Sequence, residues 1–227
     1  MRIYIGYDER EVKSFDVARS SAEHYGHEVI PLRTDRLRAA GLFTRPTDTR
    51  GTMWDLYSNQ PQSTEFALTR FLVPILAHSG KALYVDCDVV FLSDPGKLRH
   101  WPIGEAVYVV KHPEFDGLKL VKMDGQQQRM YPRKLWSSVM LFDCDAPANR
   151  RLNLSMVNTW HRDDLHAFRW LADDEIGELP PEANWLVGVQ PKPADAIIAH
   201  FTLGTPELKG HEHDEHAELW LDRVSQR

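Results

Sequence analysis

The chain opens with an alternation that few folds accommodate. "RIYIGYD" is apolar, rich in β-formers, and stops at Gly6-Tyr7-Asp8, which predicts a short buried strand. "EREVKSFDVARSSAEHYG" follows with Val12, Phe15, Ala18 and Ala22 at helical spacing and Gly26 as a stop. "HEVIPL" is the next predicted strand. Strand, helix and strand in this order predict an α/β unit built on a parallel sheet. No Gly-x-Gly-x-x-Gly follows the first strand, so the dinucleotide-binding fingerprint is missing.

A second feature limits the chemistry. "KALYVDCDVVFLSDP", residues 81 to 95, sets Asp86 and Asp88 inside what reads as a buried strand. An uncompensated buried carboxylate costs roughly 1–3 kcal/mol or more, so a partner is expected. Along a strand the two acids share a face, about 7 Å apart, while Cys87 points the other way. Like charges so placed repel unless a cation or proton lies between them. A divalent cation that completes its shell with phosphate oxygens fits, at the carboxyl end of a strand where α/β sheets collect ligands. An ion pair or a capping role is the plainer alternative.

The remaining chain predicts further elements. Residues 33 to 62 are polar and irregular, and Trp54 and Tyr57 within them look buried, as in a functional loop. "STEFALTRFLVPILAHSG" predicts a helix capped by Ser63, striped by Leu68, Phe71, Leu72, Ile75 and Leu76, ended by Gly80 and kinked at Pro74. Strands are expected in "EAVYVVKH", "WSSVMLFDC" and "DAIIAHFTLG", with a loop over residues 113 to 134. "RRLNLSMVNTWHR" and "HAELWLDRV" read as helices, and "FRWLADDEIGELPPEANWLVG" as a short helix, a turn and an irregular stretch.

Composition narrows the function. With 227 residues, 42% of them hydrophobic, the chain suits one domain, here read as a nucleotide-binding half over 1–110 and an acceptor half over 111–227. The two cysteines, Cys87 and Cys144, lie in apolar runs, which points to a reducing, cytoplasmic setting. A net charge of −6 argues against nucleic acid as partner. Charge appears early in "MRIYIGYDER", unlike a signal peptide, and no apolar run is long enough to span a bilayer.

These motifs together resemble a known group. "LYVDCDVVFLSDPGKL" is similar to the Asp-x-Asp strand of nucleotide-sugar glycosyltransferases with the GT-A fold, and most similar to glycosyltransferase family eight, the group of glycogenin and bacterial lipopolysaccharide galactosyltransferases. "IYIGYDERE" resembles the family's nucleotide-binding first strand, "EFALTRFLVPIL" the helix upstream of the metal motif, and "WSSVMLFDCD" the strand that faces the donor sugar. "ADDEIGELPPEANW" resembles its Asp-Gln-Asp segment before Leu-Pro and Asn, and "HFTLG" its terminal His-x-x-Gly-x-x-Lys.

The resemblance implies a mostly parallel sheet flanked by helices and a transferase moving a hexose from a UDP-sugar to a saccharide or other small acceptor with retention of configuration. It implies that Asp86, Asp88 and His200 hold Mn2+ or Mg2+ on the donor diphosphate. Tyr7, Asp8 and Arg70 would face the nucleotide, Gly204 and Lys209 the diphosphate, and Ser137 and Ser138 the donor sugar. Asp173 or Asp174 would face the reacting carbon. From the residues themselves, Trp136 could stack on a sugar and Lys111 and His112 could meet the acceptor. The pattern also departs from the family: "WSSV" replaces Asn-Ala-Gly, one extra residue separates His200 from Gly204, Lys209 lies further on, and Asp174 stands where the family has glutamine.

Simpler roles exist for several of these groups. Tyr7 and Asp8 could end a strand and cap a helix, Arg70 could be a solvated residue, Trp136 could be core, and Asp173 and Asp174 could decorate a turn. "HEHDEH", residues 211 to 216, lacks helical zinc spacing and reads as a solvated loop. Two other functions fit parts of the pattern. "VDCDVV" matches a haloacid-dehalogenase-type phosphohydrolase with Asp86 as nucleophile, and a non-catalytic carbohydrate-binding module would need neither metal nor nucleotide.

Overall fold

A computed structural model of the chain describes residues 1–48, 53–102, 104–112, 133 and 135–225. Its order begins β1 (Arg2–Gly6), α1 (Val12–Glu23), β2 (Glu28–Leu32), α2 (Thr34–Ala39), β3 (Thr47–Asp48), β4 (Trp54–Asp55) and β5 (Gln60–Pro61). It continues α3 (Val73–Ala77), β6 (Lys81–Val85), β7 (Val89–Phe91), β8 (Val107–Val109), β9 (Val139–Asp143), α4 (Leu154–Thr159) and α5 (Arg162–His166). It ends with β10 (Ile176–Glu178), β11 (Trp185–Leu186), β12 (Ile198–His200) and α6 (Ala217–Ser225).

The central sheet has six strands in the order β10-β8-β9-β6-β1-β2. Its pairs are parallel except those of β9, which runs antiparallel to both neighbours. Both faces are covered, as parallel sheets require. Alternation sorts the side chains: Ile3, Ile5, Leu83 and Val85 pack with Phe15 and Ala18 of α1 on one face. Tyr4, Ala82 and Tyr84 join Phe71, Leu72 and Phe142 on the other. The sequence places Val12 in the buried stripe of α1, yet it is exposed, and the helix buries Ser14, Phe15, Val17, Ala18, Ser21 and Ala22 instead.

Several expectations are corrected. The helix predicted over residues 63 to 80 is broken into turns, a 3-10 stretch at Thr69–Leu72 and the short α3. Its first residues spend their backbone groups on side chains: Glu65 N–H donates to Asp8, Thr64 O accepts from Gln62, and Ser63 O accepts from Arg10. Pro74 causes no kink, because it falls in the first turn of α3, where its missing N–H costs nothing.

Residues 33 to 62 are likewise not a plain loop. They form α2 and an antiparallel ribbon, β3-β4-β5. The ribbon is held by the Arg45–Asp55 pair, at which both side chains are fully buried, with Nε to Oδ1 2.6 Å and Nη2 to Oδ2 2.7 Å. Tyr57, read as buried, is exposed, and Trp54 is half-buried. Finally, the segment from residue 168 onward, read as a short helix, a turn and an irregular stretch, also contains a strand. Ile176–Glu178 forms β10, whose Gly177 leaves room for the Tyr108 ring, 2.2 Å from where a Cβ would stand. The predicted loop from 113 to 134 lies, Arg133 apart, outside the described residues.

The turn that builds the site is at 86–88. The continuous strand predicted there ends at Val85, and Asp86 makes one last sheet bond, N–H to Ser138 O at 2.9 Å. The chain then leaves the central sheet and enters a three-stranded one, β11-β12-β7. There β7 pairs antiparallel with β12, and His200 lies opposite Val89. This register delivers a residue from the far end of the sequence to the Asp-x-Asp turn.

Candidate active site

One oxygen each of Asp86 and Asp88 and one ring nitrogen of His200 lie within 4.8 Å of one another. The backbone arranges this directly, since Phe201 N–H donates to Asp88 O at 2.9 Å, beside His200. Both acids are partly buried, and His200 is almost wholly so. Cys87, between the acids, turns away into the core and donates its S–H to Glu11 Oε2 at 2.8 Å. The two acids thus share a side, as alternation predicted, although the backbone here is a bend rather than a strand.

Each carboxylate has compensation. Asp86 Oδ1 accepts from Tyr84 Oη at 2.6 Å and faces Arg70 Nη1 at 2.9 Å. The second oxygen, Oδ2, takes part in neither contact. Asp88 Oδ1 lies 3.3 Å from His200 Nε2. Burial pushes the Asp86 carboxyl up, with Arg70 opposing and Asp88 adding to the rise. Burial alone would lower the His200 pKa, but Asp88 and then Asp86 outweigh it and hold it above the ordinary value. The donor set of two carboxylates and an imidazole suits a divalent ion.

Arg70 is not a solvated helical residue. It is buried, donates from Nη1 to Ser137 O at 2.8 Å, and lies over the Phe66 and Tyr84 rings. Behind His200 runs a polar chain that sequence reasoning missed. His200 Nδ1 meets Asn184 Oδ1 at 3.0 Å, and Asn184 Nδ2 donates to His112 Nε2 at 2.9 Å and to Ser138 Oγ at 3.0 Å. His112 is therefore buried within this network, and burial, with His200 nearby, lowers its pKa to about 4. Ser137 Oγ pairs with His166 Nδ1 at 2.8 Å.

The other candidates have varied surroundings. Asp8 is fully buried and takes four donors, Arg10 N, which it caps, Arg10 Nε and Nη2, and Glu65 N. Burial works against its charge, but the Arg10 bonds prevail and hold its pKa low. Tyr7 packs edge-on against Phe15 beneath the Arg33 guanidinium. Gly204 has φ +146° and lies against the His211 ring, 2.6 Å from where a Cβ would stand. Lys209 is exposed. Trp136 is half-buried between Lys111 and Arg133, and Arg133 also pairs with Asp173. Asp173 and Asp174 are exposed on one 3-10 turn. In "HEHDEH", His211 pairs with Asp214 and His216 with Glu218, at the surface.

Glu11 is a second group the sequence did not single out. It is buried beside the Asp-x-Asp turn, and burial raises its pKa to about 7, with the Cys87 bond opposing and Asp88 and Asp8 adding. Only a charged letter before an apolar helix marks it, and many exposed caps look the same.

Comparison with known proteins places this arrangement. No family model matches the sequence. A plant protein, Protein CDI of Arabidopsis thaliana, is 36% identical over 235 residues, spanning 99% of this chain and 86% of the relative. The chain belongs to the Protein CDI family. Its fold is of the GT-A glycosyltransferase type, as solved structures show. The galactosyltransferase LgtC, crystallised with donor and acceptor sugar analogues, matches over 100% of this chain and 96% of its own, at 13% identity and TM-score 0.64. The glycosyltransferase GlyE of Streptococcus pneumoniae matches 98% of this CDI-family chain and 59% of its own, at 13% identity and TM-score 0.61. The bifunctional WbbM matches 99% and 49%, at 13% identity and TM-score 0.60. Among the described residues, no helix is long and apolar enough to cross a membrane.

Proposed function

We propose that this chain is a metal-dependent glycosyltransferase that moves a hexose from a UDP-sugar to a saccharide or other small acceptor, with retention of configuration, in the cytoplasm. The observation that carries the reading is the meeting of Asp86, Asp88 and His200 within 4.8 Å at the end of β6, in a fold shared with glycosyltransferases. These three residues would hold Mn2+ or Mg2+. When bound, the ion would supply Lewis-acid neutralisation of the UDP leaving group. Arg70 holds Asp86 in place and adds a fixed positive charge beside the diphosphate position. Tyr7 and the turn capped by Asp8 would form the nucleotide wall. Gly204 and Lys209 would approach the diphosphate, Ser137 and Trp136 would flank the donor sugar, and Asp173 or Asp174 would face the reacting carbon. The domain would divide into a nucleotide half over 1–110 and an acceptor half over 111–227. A phosphohydrolase that attacks through Asp86 is less compatible, because it gives no role to His200, whose Nε2 lies 3.3 Å from Asp88 Oδ1.

The test is a thermal-shift titration with UDP, with Mn2+, and with both. Stabilisation well beyond either alone is expected only with both present, and Asp88→Ala should remove it. Slow hydrolysis of a panel of UDP-sugars would then identify the donor. UDP and Mn2+ acting independently, or neither acting, would refute the reading.

A further inference from the structure

The polar chain behind His200 has a direction that can be worked out from one atom. Ser138 Oγ lies 2.6 Å from Leu135 O. A carbonyl only accepts, so the single hydroxyl proton of Ser138 is committed to it. Ser138 Oγ must then accept from Asn184, which fixes Nδ2 on the Ser138 side, 3.0 Å away. The same Nδ2 donates to His112 Nε2 at 2.9 Å, and the neutral His112 ring can accept there. The amide oxygen of Asn184 is left facing His200 Nδ1 at 3.0 Å. An oxygen in that position accepts, so Nδ1 carries a ring proton, and Nε2 is the nitrogen left for a cation. Nε2 is the nitrogen on the Asp88 side, 3.3 Å from its Oδ1.

The geometry points to Asn184 as the positioning residue that sets His200 in the Nδ1–H form, with Ser138 and His112 as its anchors. This rests on the metal reading above in one respect, that Nε2 is the ligand atom. Without the anchor the amide could turn over, present its NH2 to Nδ1, and favour a proton on Nε2, where a cation would have to displace it. Asn184 is itself fully buried, so in the native chain bulk solvent does not compete for these contacts. The network also assigns Ser138 and His112 to the support of His200 instead of to sugar and acceptor. It joins the 3-10 turn Trp136–Ser138, the segment that follows β8 and the turn Pro181–Asn184 to one ring.

Two measurements test this. In metal-free protein labelled with 15N-histidine, at a pH well above the histidine range, the His200 ring signals are identified by their loss in His200→Gln. Wild type should show Nδ1–H, and Asn184→Ala should show a mixture of tautomers. Separately, free Mn2+ is followed by electron paramagnetic resonance as Mn2+ alone is added. Asn184→Ala should weaken binding about 10–100-fold, the usual loss when a metal histidine loses its outer partner. Ser138→Ala, which removes only the anchor, should weaken it severalfold, and Ser138→Thr should restore it. A purely structural role would lower thermal stability without following the hydroxyl in this way.

An Nε2–H ring in wild type overturns the inference whatever the metal does. So does Mn2+ affinity within twofold of wild type in both Asn184→Ala and Ser138→Ala while His200→Ala loses it, an outcome that leaves the metal reading standing. Wild type that binds no Mn2+ defeats the metal reading and with it the role of Nε2.

Discussion

Glu11→Gln isolates an electrostatic cost built into the site. Glu11 is buried, and its pKa is raised from the ordinary 4.5 to about 7. A carboxyl with a raised folded pKa binds protons more tightly in the native state than in the unfolded one. Its effect on stability is therefore absent well below pH 4.5, grows as a cost from there to about 7, and is constant above. The full gap corresponds to about 3 kcal/mol at about 1.4 kcal/mol per pH unit. Between about pH 5 and pH 8 the cost should grow by about 2.5 kcal/mol. Glutamine cannot ionise, and its oxygen can still accept from Cys87, so the variant should lack this pH dependence. The NH2 it introduces shifts stability by an amount that does not vary with pH, so the observable is the difference between variant and wild type across pH. Chemical denaturation in a chelating buffer should show that difference moving in favour of the variant by about 2.5 kcal/mol, or about 5 °C in Tm, from pH 5 to pH 8. Subtraction is needed because His112 acts in the opposite sense. Its pKa falls from 6.5 to about 4, so its contribution is lost as pH drops through that window, and the two slopes nearly cancel in wild type. A difference that stays level across pH would refute the view that Glu11 is held near neutrality by burial.

Two further outcomes follow from buried groups. Arg45→Ala leaves Asp55 fully buried with its bidentate partner gone, which should cost about 3–5 kcal/mol by chemical denaturation. Replacing both residues with apolar ones should recover part of that loss. Burial raises the thiol pKa of Cys144 to about 12 and that of Cys87 well above its usual value, so neither forms thiolate near neutral pH. A thiol reagent such as DTNB at pH 8 should leave the native chain unmodified and label two cysteines once it is unfolded in guanidinium.

Periodicity made the α/β opening readable, since a period of two and then of 3.6 within one stretch leaves little choice of element. The same tool misread residues 63 to 80. Leu68, Phe71 and Leu72 are buried as a helical stripe would bury them, but the backbone before them is held by Asp8, Arg10 and Gln62, which lie far away in sequence or act as side chains. At Asp86 and Asp88 the side-chain prediction survived a wrong backbone, because a bend between two sheets can also turn alternate residues to one side. Only resemblance singles out His200; nothing local in "HFTLG" announces the register with β7 that brings it to Asp88. Asn184 and Glu11 were out of reach for a related reason. Their roles depend on what burial places beside them, and a single polar letter carries no record of its neighbours.

The charge count at the turn explains why an ion and a nucleotide should bind as partners on the proposed reading. Two carboxylates against the Arg70 guanidinium leave one negative charge when His200 is neutral. A divalent ion converts that to one positive charge in a partly buried setting, where an uncompensated charge of either sign is costly. The pyrophosphate of a nucleotide sugar offsets the excess, and without the ion the same pyrophosphate would meet two acids. Each ligand thus removes the repulsion that the other would face. Linkage requires the effect to be equal in both directions, so Mn2+ should tighten UDP by the same factor as UDP tightens Mn2+. Arg70 sets the size of that factor, because its fixed charge makes the ion-loaded site positive when the two acids alone would leave it neutral.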